Sequence, residues 1–554
     1  MCYVRISETI VMKRNILYRG MTMTDNEQVI AHVNDLQDGQ MKEIDLGERS
    51  ILLARVDGQY HAMGAHCSHY GGPLAKGVLC EHHVVCPWHQ TYFDIVTGNV
   101  LEPPGLNALR HYDLRIEGND VIITIPDDVS DGRVMEMGGY IPERDRRTFA
   151  IIGGGAAANM AAETLRRDGF HGRIVMITRE KRVPYDRPHL SKGYIRERAN
   201  PYPPSLRSSR FYMDHDIEIL FDRTVTQLDL AARTIRFDDS TSLHYNSVLI
   251  ATGAIPKRLN VPGSDKKNIF TLRSFDDASD LVQAIDLSKK ILIVGSGFIG
   301  MEVASGLSDR GLDVTVVSLE SVPMEKTFGR EIGQMLQKLH EQRNVHFELG
   351  ATIDHFKGDE TVHSAVLSNG KTIEADIVLL ALGVTPASDF IQSPARNPDG
   401  SLTVDRELRV DGDCYAAGDV ARFIDWRTDS PIRIEHWRLA EQQGRCAAHN
   451  MMGKKVEFTS VPFFWTHQAK ISLQYVGYTD RWDEIIFHGR PEDYNFVAFY
   501  VKEDQVLAAA GLNQNVKMAA FAELVRRNQT PSPDDLRHGE TDFVEQLQPA
   551  LAGK

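Results

Sequence analysis

Apolar and polar positions fall into short blocks along this chain, and their period changes from one end to the other. Val121–Ile125 (VIITI) reads as a strand closing an N-terminal region. A polar, Gly-containing stretch from Pro126 to Arg147 predicts a linker. Phe149–Ile152 is then apolar throughout, the mark of a buried strand, and the helix-like run after it ends at Arg167. A second strand is expected over Arg173–Thr178. The same strand–helix–strand pattern returns at Ile291–Val294 and Asp313–Leu319, which predicts two βαβ units. The apolar strand Ile377–Leu380 needs no function to explain it. Residues 460–515 alternate instead (Ile471, Leu473, Tyr475; Phe496, Ala498, Tyr500), the period of a C-terminal sheet. Beyond about 530, prolines and charges predict a solvated tail.

Composition narrows the class. At 554 residues the chain is too long for one core and predicts about four domains. A net charge of −14 argues against nucleic acid and anionic membranes as partners. No stretch reaches the ~18 apolar residues that span a bilayer. The six cysteines are scattered, which points to a reducing compartment, here the cytoplasm, and not to a disulfide scaffold. Residues 1–22 carry Arg5, Lys13, Arg14 and Arg19 against Glu8. They read as a weak transit segment or as an over-extended start with Met21 or Met23 as the true beginning.

Cys67-Ser-His69 and Cys86-Pro-Trp-His89 carry the first chemistry. They form C-x-H, sixteen residues, then C-x2-H. Two thiolates and two imidazoles are the ligand set of a Rieske [2Fe–2S] centre, one iron held by Cys and the other by His. Each block predicts a tight loop, helped by Gly71-Gly72-Pro73 and Pro87. The competing reading is a zinc knuckle, but zinc pairs are usually spaced C-x2–4-C and H-x3–5-H. His66, Cys80, His82 and His83 fit no ligand spacing in this reading and are expected to face solvent. Residues 24 to about 128 therefore resemble the Rieske family. Its bc-complex type adds a disulfide cysteine at each loop; those positions read Gly72 and Trp88, so the resemblance is to the ferredoxin or oxygenase type. It also places a serine at the position of Thr91 and a tyrosine at that of Phe93, both hydrogen-bonding the cluster region. That resemblance implies a potential below the bc-type values.

Gly153-Gly-Gly155-Ala-Ala-Ala158 follows the first strand directly and opens a helix. This is G-x-G-x-x-A in its proper context: Gly153 for the turn, Gly155 for close approach to a pyrophosphate, and Ala158 for helix packing. Glu180, closing the second strand, can accept hydrogen bonds from a ribose. Gly295-Ser-Gly297-Phe298-Ile299-Gly300 repeats the motif, and its acid is Glu320. A carboxylate there pairs with an adenosine 2′-OH and repels a 2′-phosphate, which favours NAD(H) over NADP(H).

Further blocks are Pro184-Tyr-Asp-Arg-Pro-His-Leu-Ser-Lys192, Ala251-Thr252-Gly253, Asp376 to Gly383-Val-Thr-Pro386, Tyr415-Ala-Ala-Gly418-Asp419, Glu435-His-Trp437 and Pro462-Phe-Phe-Trp465. Residues 147 to about 515 resemble, block by block, the oxygenase-coupled ferredoxin reductases and the apoptosis-inducing-factor group of the pyridine nucleotide-disulfide oxidoreductase superfamily. The fused Rieske module makes the apoptosis-inducing-factor-like branch the nearest resemblance. It implies that Gly153, Gly155, Ala158, Glu180, Arg187, Lys192, Thr252, Gly253, Gly418, Asp419 and Trp437 bind FAD. Gly295, Gly297, Phe298, Ile299, Gly300, Glu320 and Gly383 would serve NAD(H). Lys192, Glu302 and Trp465 are the catalytic candidates at the flavin–nicotinamide stack. His436 reads as a core or surface residue and not as a catalyst.

The expected fold is multidomain. An all-β Rieske domain (24–128) and linker (129–146) precede an α/β Rossmann-like FAD domain in two parts (147–265 and 385–455). An α/β NAD domain (266–384) interrupts it, and an α+β reductase domain (456–530) and tail (531–554) follow. The expected cofactors are FAD, NAD(H) and one [2Fe–2S] cluster. Nicotinamide gives two electrons at once and an iron–sulfur centre takes one, so a flavin must stand between them. The expected path runs from NADH through FAD and the Rieske centre to an external acceptor: an oxygenase, a ferredoxin or a cytochrome. A disulfide reductase is excluded, because no cysteine lies between Cys86 and Cys414. A Rieske oxygenase would need a downstream two-His-one-carboxylate site. The rival from another class is an NADH-responsive redox-sensing binding protein. A homodimer is left open.

Overall fold

The computed structural model describes residues 26–126, 130, 132–197, 204–539 and 542–547. Residues 1–22 lie outside them, as do 548–554.

The N-terminal module is built from strands alone apart from one 3-10 turn, Leu74–Lys76. Val121–Ile123 are buried in its core, and Asp120–Thr124 pairs with both Glu27–His32 and Leu114–Glu117. A four-stranded meander, Val78–Cys80, His83–Val85, Tyr92–Asp94 and Val100–Glu102, carries the second ligand loop between its middle strands. The expected linker is partly tied down: Gly132–Arg133 pairs with Ala108–Leu109, and Gly138 N–H donates to Arg166 O.

Two parallel sheets follow, one nested in the other. The first orders Ile217–Leu220, Arg173–Ile177, Thr148–Ile152, Ser247–Ile250 and Cys414–Ala416 in parallel, with Arg409–Asp411 antiparallel at its edge. Between its fourth and fifth strands the chain builds a second, all-parallel sheet centred on Lys290–Val294. Helix α1 (Ala156–Arg167) leaves the first sheet and α2 (Phe298–Asp309) the second. Helix α3 (Trp437–Met451) returns against α1.

The C-terminal sheet has five antiparallel strands, Phe463–Gln468 at one edge and Glu484–Arg490 at the other. It is not the half-polar sheet that the alternation predicts. Phe496, Ala498 and Tyr500 pack with Phe464 and Tyr475 toward the second dinucleotide domain. Val497, Phe499 and Val501 pack under α4 (Asn515–Arg526) and the Rieske residues Val78, Val85 and Tyr92. Both faces are buried, so nearly every position is apolar. The tail is also corrected: Leu536, Phe543 and Leu547 are buried, and the Phe543 ring sits 5.6 Å from Phe499. Its described charged residues Asp534, Asp535, Arg537 and Asp542 lie outward, while Leu536, Phe543 and Leu547 in short helices close the core under α4.

Candidate functional site

Two loops of the N-terminal module bring the four predicted ligands together. Cys67 and Cys86 are buried with their sulfurs in hydrogen-bonding contact. His69 and His89 meet separately, Nδ1 to Nδ1 at 3.1 Å. The arrangement separates the two metals considered. A single zinc would draw all four donors to one point. Among the described residues the one group of three or more such donors within 4.8 Å of one another is Cys80, His83 and Glu523, not these four. Thiols paired at one end and imidazoles at the other suit a two-iron centre. The loop positions Gly72 and Trp88 also meet: a Cβ on Gly72 would lie 2.8 Å from Cys86 Sγ and 3.2 Å from the Trp88 ring. Glycine is needed there because the indole takes the space.

The reading of Cys80 and His83 as solvent-facing is overturned. Both are buried, whereas His66 and His82 are exposed. His83 Nε2 lies 3.4 Å from Glu523 of α4, and Arg527 donates to Cys80 Sγ at 2.7 Å. Burial opposes ionisation of Glu523, but His83 and Arg526 outweigh it and hold the carboxyl down to about 2. Burial, with Glu523 beside it, pushes the Cys80 thiol up to about 12. Guanidinium groups thus stand where a cation would.

A cleft of about 1140 Å³ opens beside the Rieske loops. The first dinucleotide turn forms one wall with Gly153, Gly155, Glu180, Arg187 and Lys192. Gly153 has φ +139°, and a Cβ there would lie 2.1 Å from Ala251 O. Gly155 has nothing within 4 Å of its Cβ position, so its open side is the cleft. Thr252, Gly253, Gly418, Asp419 and Trp437 also line it. Phe298, Ile299, Glu302 and Trp465 close one end. The buried Nδ1 of His436 has no protein partner; desolvation takes that ring down to about 3, so it lines the cleft as a neutral group. The volume, the glycine turn and the unpartnered His436 Nδ1 fit a flavin dinucleotide.

Polar groups around the cleft are cross-braced. Glu180 accepts from Tyr185 Oη at 2.6 Å and Arg187 at 2.8 Å. Glu302 accepts from Lys192 Nζ at 2.8 Å, Ser191 Oγ at 2.5 Å and Thr466 Oγ1 at 2.7 Å. A carboxylate so satisfied fixes the Lys192 ammonium at the cleft. Asp419 pairs with Arg273 at 2.7 Å, and Gly418 N–H donates to Gln443 Oε1 at 2.7 Å. Arg273 and Gln443 escaped sequence reasoning, since neither stands in a block that names its chemistry.

Not every predicted residue reaches this cleft. Ala158 is fully buried in α1. Gly295 and Gly297 form the turn into α2 on the second sheet and Gly300 is buried in its first turn, with Glu320 just beyond the strand Asp313–Ser318. Burial raises the Glu320 pKa, and Lys326 Nζ stands 3.7 Å away. Gly383 has open space at its Cβ position and φ +82°.

The cleft touches the metal-ligand loops. Trp465, on its wall, has its ring centroid 4.3 Å from His89 and 6.1 Å from His69. Polar contacts surround this junction. Gln474 Nε2 donates to the carbonyls of Pro87 and Trp88 at 2.8 Å. Arg438 donates to Pro103 O at 2.8 Å, and Gln442 to Glu102 at 2.7 Å. Arg207, paired with buried Glu163, donates to Leu106 O at 2.9 Å. Tyr70 donates to Asp186.

The pyridine nucleotide-disulphide oxidoreductase family matches residues 147–444, the Rieske [2Fe-2S] domain 26–113 and the reductase C-terminal domain 463–547. The chain belongs to the pyridine nucleotide-disulphide oxidoreductase family. It is 35% identical to apoptosis-inducing factor 3 of Homo sapiens over 513 residues, 90% of this chain and 84% of that one. It is 31% identical to the 3-phenylpropionate/cinnamic acid dioxygenase ferredoxin–NAD(+) reductase component of Photorhabdus laumondii, over 68% of this chain and 96% of that one. Among solved structures, the ferredoxin reductase for the CYP199A2 system from Rhodopseudomonas palustris covers 73% of this chain and 100% of its own, with TM-score 0.68 and 27% identity. The covalent putidaredoxin reductase–putidaredoxin complex matches with TM-score 0.68 and 25% identity, over 74% of this chain and 99% of that one. The chain is thus a ferredoxin-reductase-like, NAD-dependent oxidoreductase of this family with a Rieske domain, and its cofactors are FAD, NAD(H) and a [2Fe–2S] cluster. No helix among the described residues is long and apolar enough to cross a membrane.

Proposed function

We propose that this protein is an NADH-dependent reductase that feeds its own Rieske centre from its flavin cleft and passes single electrons to an external acceptor. The contact between Trp465 and His89 carries the reading: one ring lines the cleft, the other is a cluster ligand, and their centroids are 4.3 Å apart. The similarity to a covalent putidaredoxin reductase–putidaredoxin complex supports this reading: the fused module would serve as a built-in counterpart of such a partner. FAD, when bound, supplies the exchange between hydride and single-electron chemistry. The protein's part is positioning. Gly153, Gly155 and Glu180 would hold the FAD dinucleotide, with Arg187 and Asp419 along its length. Glu302 holds Lys192 where the nicotinamide and flavin rings would meet, and orientation of that kind contributes roughly 7–11 kcal/mol. Cys67, Cys86, His69 and His89 would hold the cluster. The free state of all five described cysteines supports a reducing, cytoplasmic setting.

Rapid-freeze EPR after anaerobic mixing with NADH tests this. A rhombic Rieske signal should grow as flavin absorbance falls. Bleached flavin beside a permanently oxidised cluster, or zinc without acid-labile sulfide, would defeat it. Similarity to apoptosis-inducing factor 3 favours a second reading, an NADH-responsive binding protein. Slow, cluster-independent turnover with one-electron acceptors would select it.

A further inference from the structure

We propose that Trp88 is the docking point at which a one-electron redox protein draws electrons out of this molecule, an inference that rests on the function proposed above. The His89 side of the ligand loops is covered by the reductase, while His69 stays partly accessible beside the exposed ring of Tyr70. Trp465 covers His89, His467 lies 6.4 Å from the same ring, and Tyr70 stands edge-on to His69 at 4.3 Å. Arg438, donating to Pro103 O, and Arg207, donating to Leu106 O, join the module to the reductase through charge-assisted hydrogen bonds. A partner therefore cannot reach His89 directly while the module stays docked.

The second ligand loop reaches solvent at one point. Between His83 and Phe93, Trp88 is the one exposed residue, 39% accessible amid buried neighbours. Its ring and Cys86 Sγ press on the same face of Gly72. Its centroid lies 6.5 Å from that of His89, so Trp465, His89 and Trp88 follow one another from cleft to solvent. Gln474 clamps the Trp88 carbonyl, which presents the indole on fixed backbone. Exposed tryptophan on a rigid loop is the side chain that protein interfaces most often use as an anchor. The net charge of −14 favours a partner with a basic face. Each encounter moves one electron outward: the partner's metal is reduced and the iron–sulfur centre oxidised. Two encounters and one proton released to solvent balance one NADH converted to NAD+.

The test mixes NADH-reduced protein with cytochrome c, a basic one-electron haem protein. Trp88→Ser should lower the rate of cytochrome c reduction about tenfold or more, and Trp88→Phe should restore most of it. Iron content, the EPR signal and flavin bleaching by NADH should match the parent. A cytochrome c rate within about twofold of the parent, in cluster-replete Trp88→Ser, overturns the proposal. A second measurement needs neither variant nor turnover. Oxidised parent protein is treated with N-bromosuccinimide, and Trp88 oxidation is mapped by mass spectrometry with and without cytochrome c. Protection of Trp88 is expected; equal modification overturns the docking point. If NADH leaves the parent's cluster oxidised, the electron path itself fails. If the cluster is reduced and Trp88 is immaterial, only the exit is wrong.

Discussion

Cys80–His83 and Cys86–His89 repeat one spacing, C-x2-H, six residues apart on the same meander, and they do different work. Cys86 faces a second thiol, Cys67, and His89 a second imidazole, so a metal has a complete donor set. Cys80 faces Arg527, and His83 faces a carboxylate already held by Arg526. The first pair is left for a cofactor, while the second faces charged side chains of α4 and its end and fastens the Rieske hairpin to them. Spacing alone does not make a site; the groups brought from elsewhere in the chain decide.

The largest test of this contrast is replacement of each cysteine by serine. Cys86→Ser should take iron and acid-labile sulfide to background, whereas Cys80→Ser should keep both near the parent level. Iron loss in Cys80→Ser would show that the second pair also serves the metal.

Next in size is the latch. Breaking a fully buried charge pair costs about 3–5 kcal/mol; Glu523 is buried, but Arg526 is 41% exposed and Arg527 keeps Glu81, so the loss here falls below that range. Glu523→Ala should therefore lower the first thermal transition and speed hydrogen exchange in strand His83–Val85. Because the folded-state pKa is depressed to about 2 from 4.5, the stability it contributes is present above about pH 4.5 and is lost as pH falls toward 2. The gap between parent and Glu523→Gln should close across that window. A pH-independent gap would mean that packing, not charge, accounts for the loss.

These contrasts mark what could be read in advance. The ligand loops and both glycine turns were legible, because each is a local pattern with a local cause: a thiol–imidazole pair on a loop, or a strand running into a helix. The expected strand Phe149–Ile152 forms as Thr148–Ile152, and the expected helix end at Arg167 is where α1 stops. What escaped depends on distant partners. Glu523 meets His83 across more than 400 residues of chain, and Gln474 meets Pro87 across 387. The two-faced burial of Phe496–Val501 was misread for the same reason, since its second face needs both α4 and the Rieske hairpin.

The two dinucleotide turns sharpen the comparison at smaller scale. Glu180 is engaged by Tyr185 and Arg187, while Glu320 has Lys326 at 3.7 Å, and the ribose contact proposed for Glu320 can be tested. NADH should exceed NADPH in kcat/KM by about tenfold, ~1.4 kcal/mol. Glu320→Ala should narrow that gap, chiefly by relieving repulsion of the 2′-phosphate. Equal efficiency with both nucleotides would remove Glu320 from the site.

The smallest effect separates the two C-x2-H pairs by their sulfur environment. Thr91 is fully buried and its Oγ1 accepts from Gly105 N–H at 3.0 Å, which leaves the hydroxyl proton free to point at the Cys67 sulfur within its reach. Hydrogen bonds to cluster sulfurs favour the reduced, more negative state and so raise the potential. One neutral hydrogen bond is worth about 1 kcal/mol net, or about 40 mV for a one-electron couple. The neighbouring Phe93 offers no hydroxyl, so Thr91 carries this contribution without a second donor from that position. Thr91→Val keeps the shape and should lower the midpoint potential by about that amount in a redox titration followed by EPR. Cys80→Ser, remote from the ligand set, should leave the potential where it is. An unchanged potential in Thr91→Val would mean that the hydroxyl serves Gly105 and not the cluster.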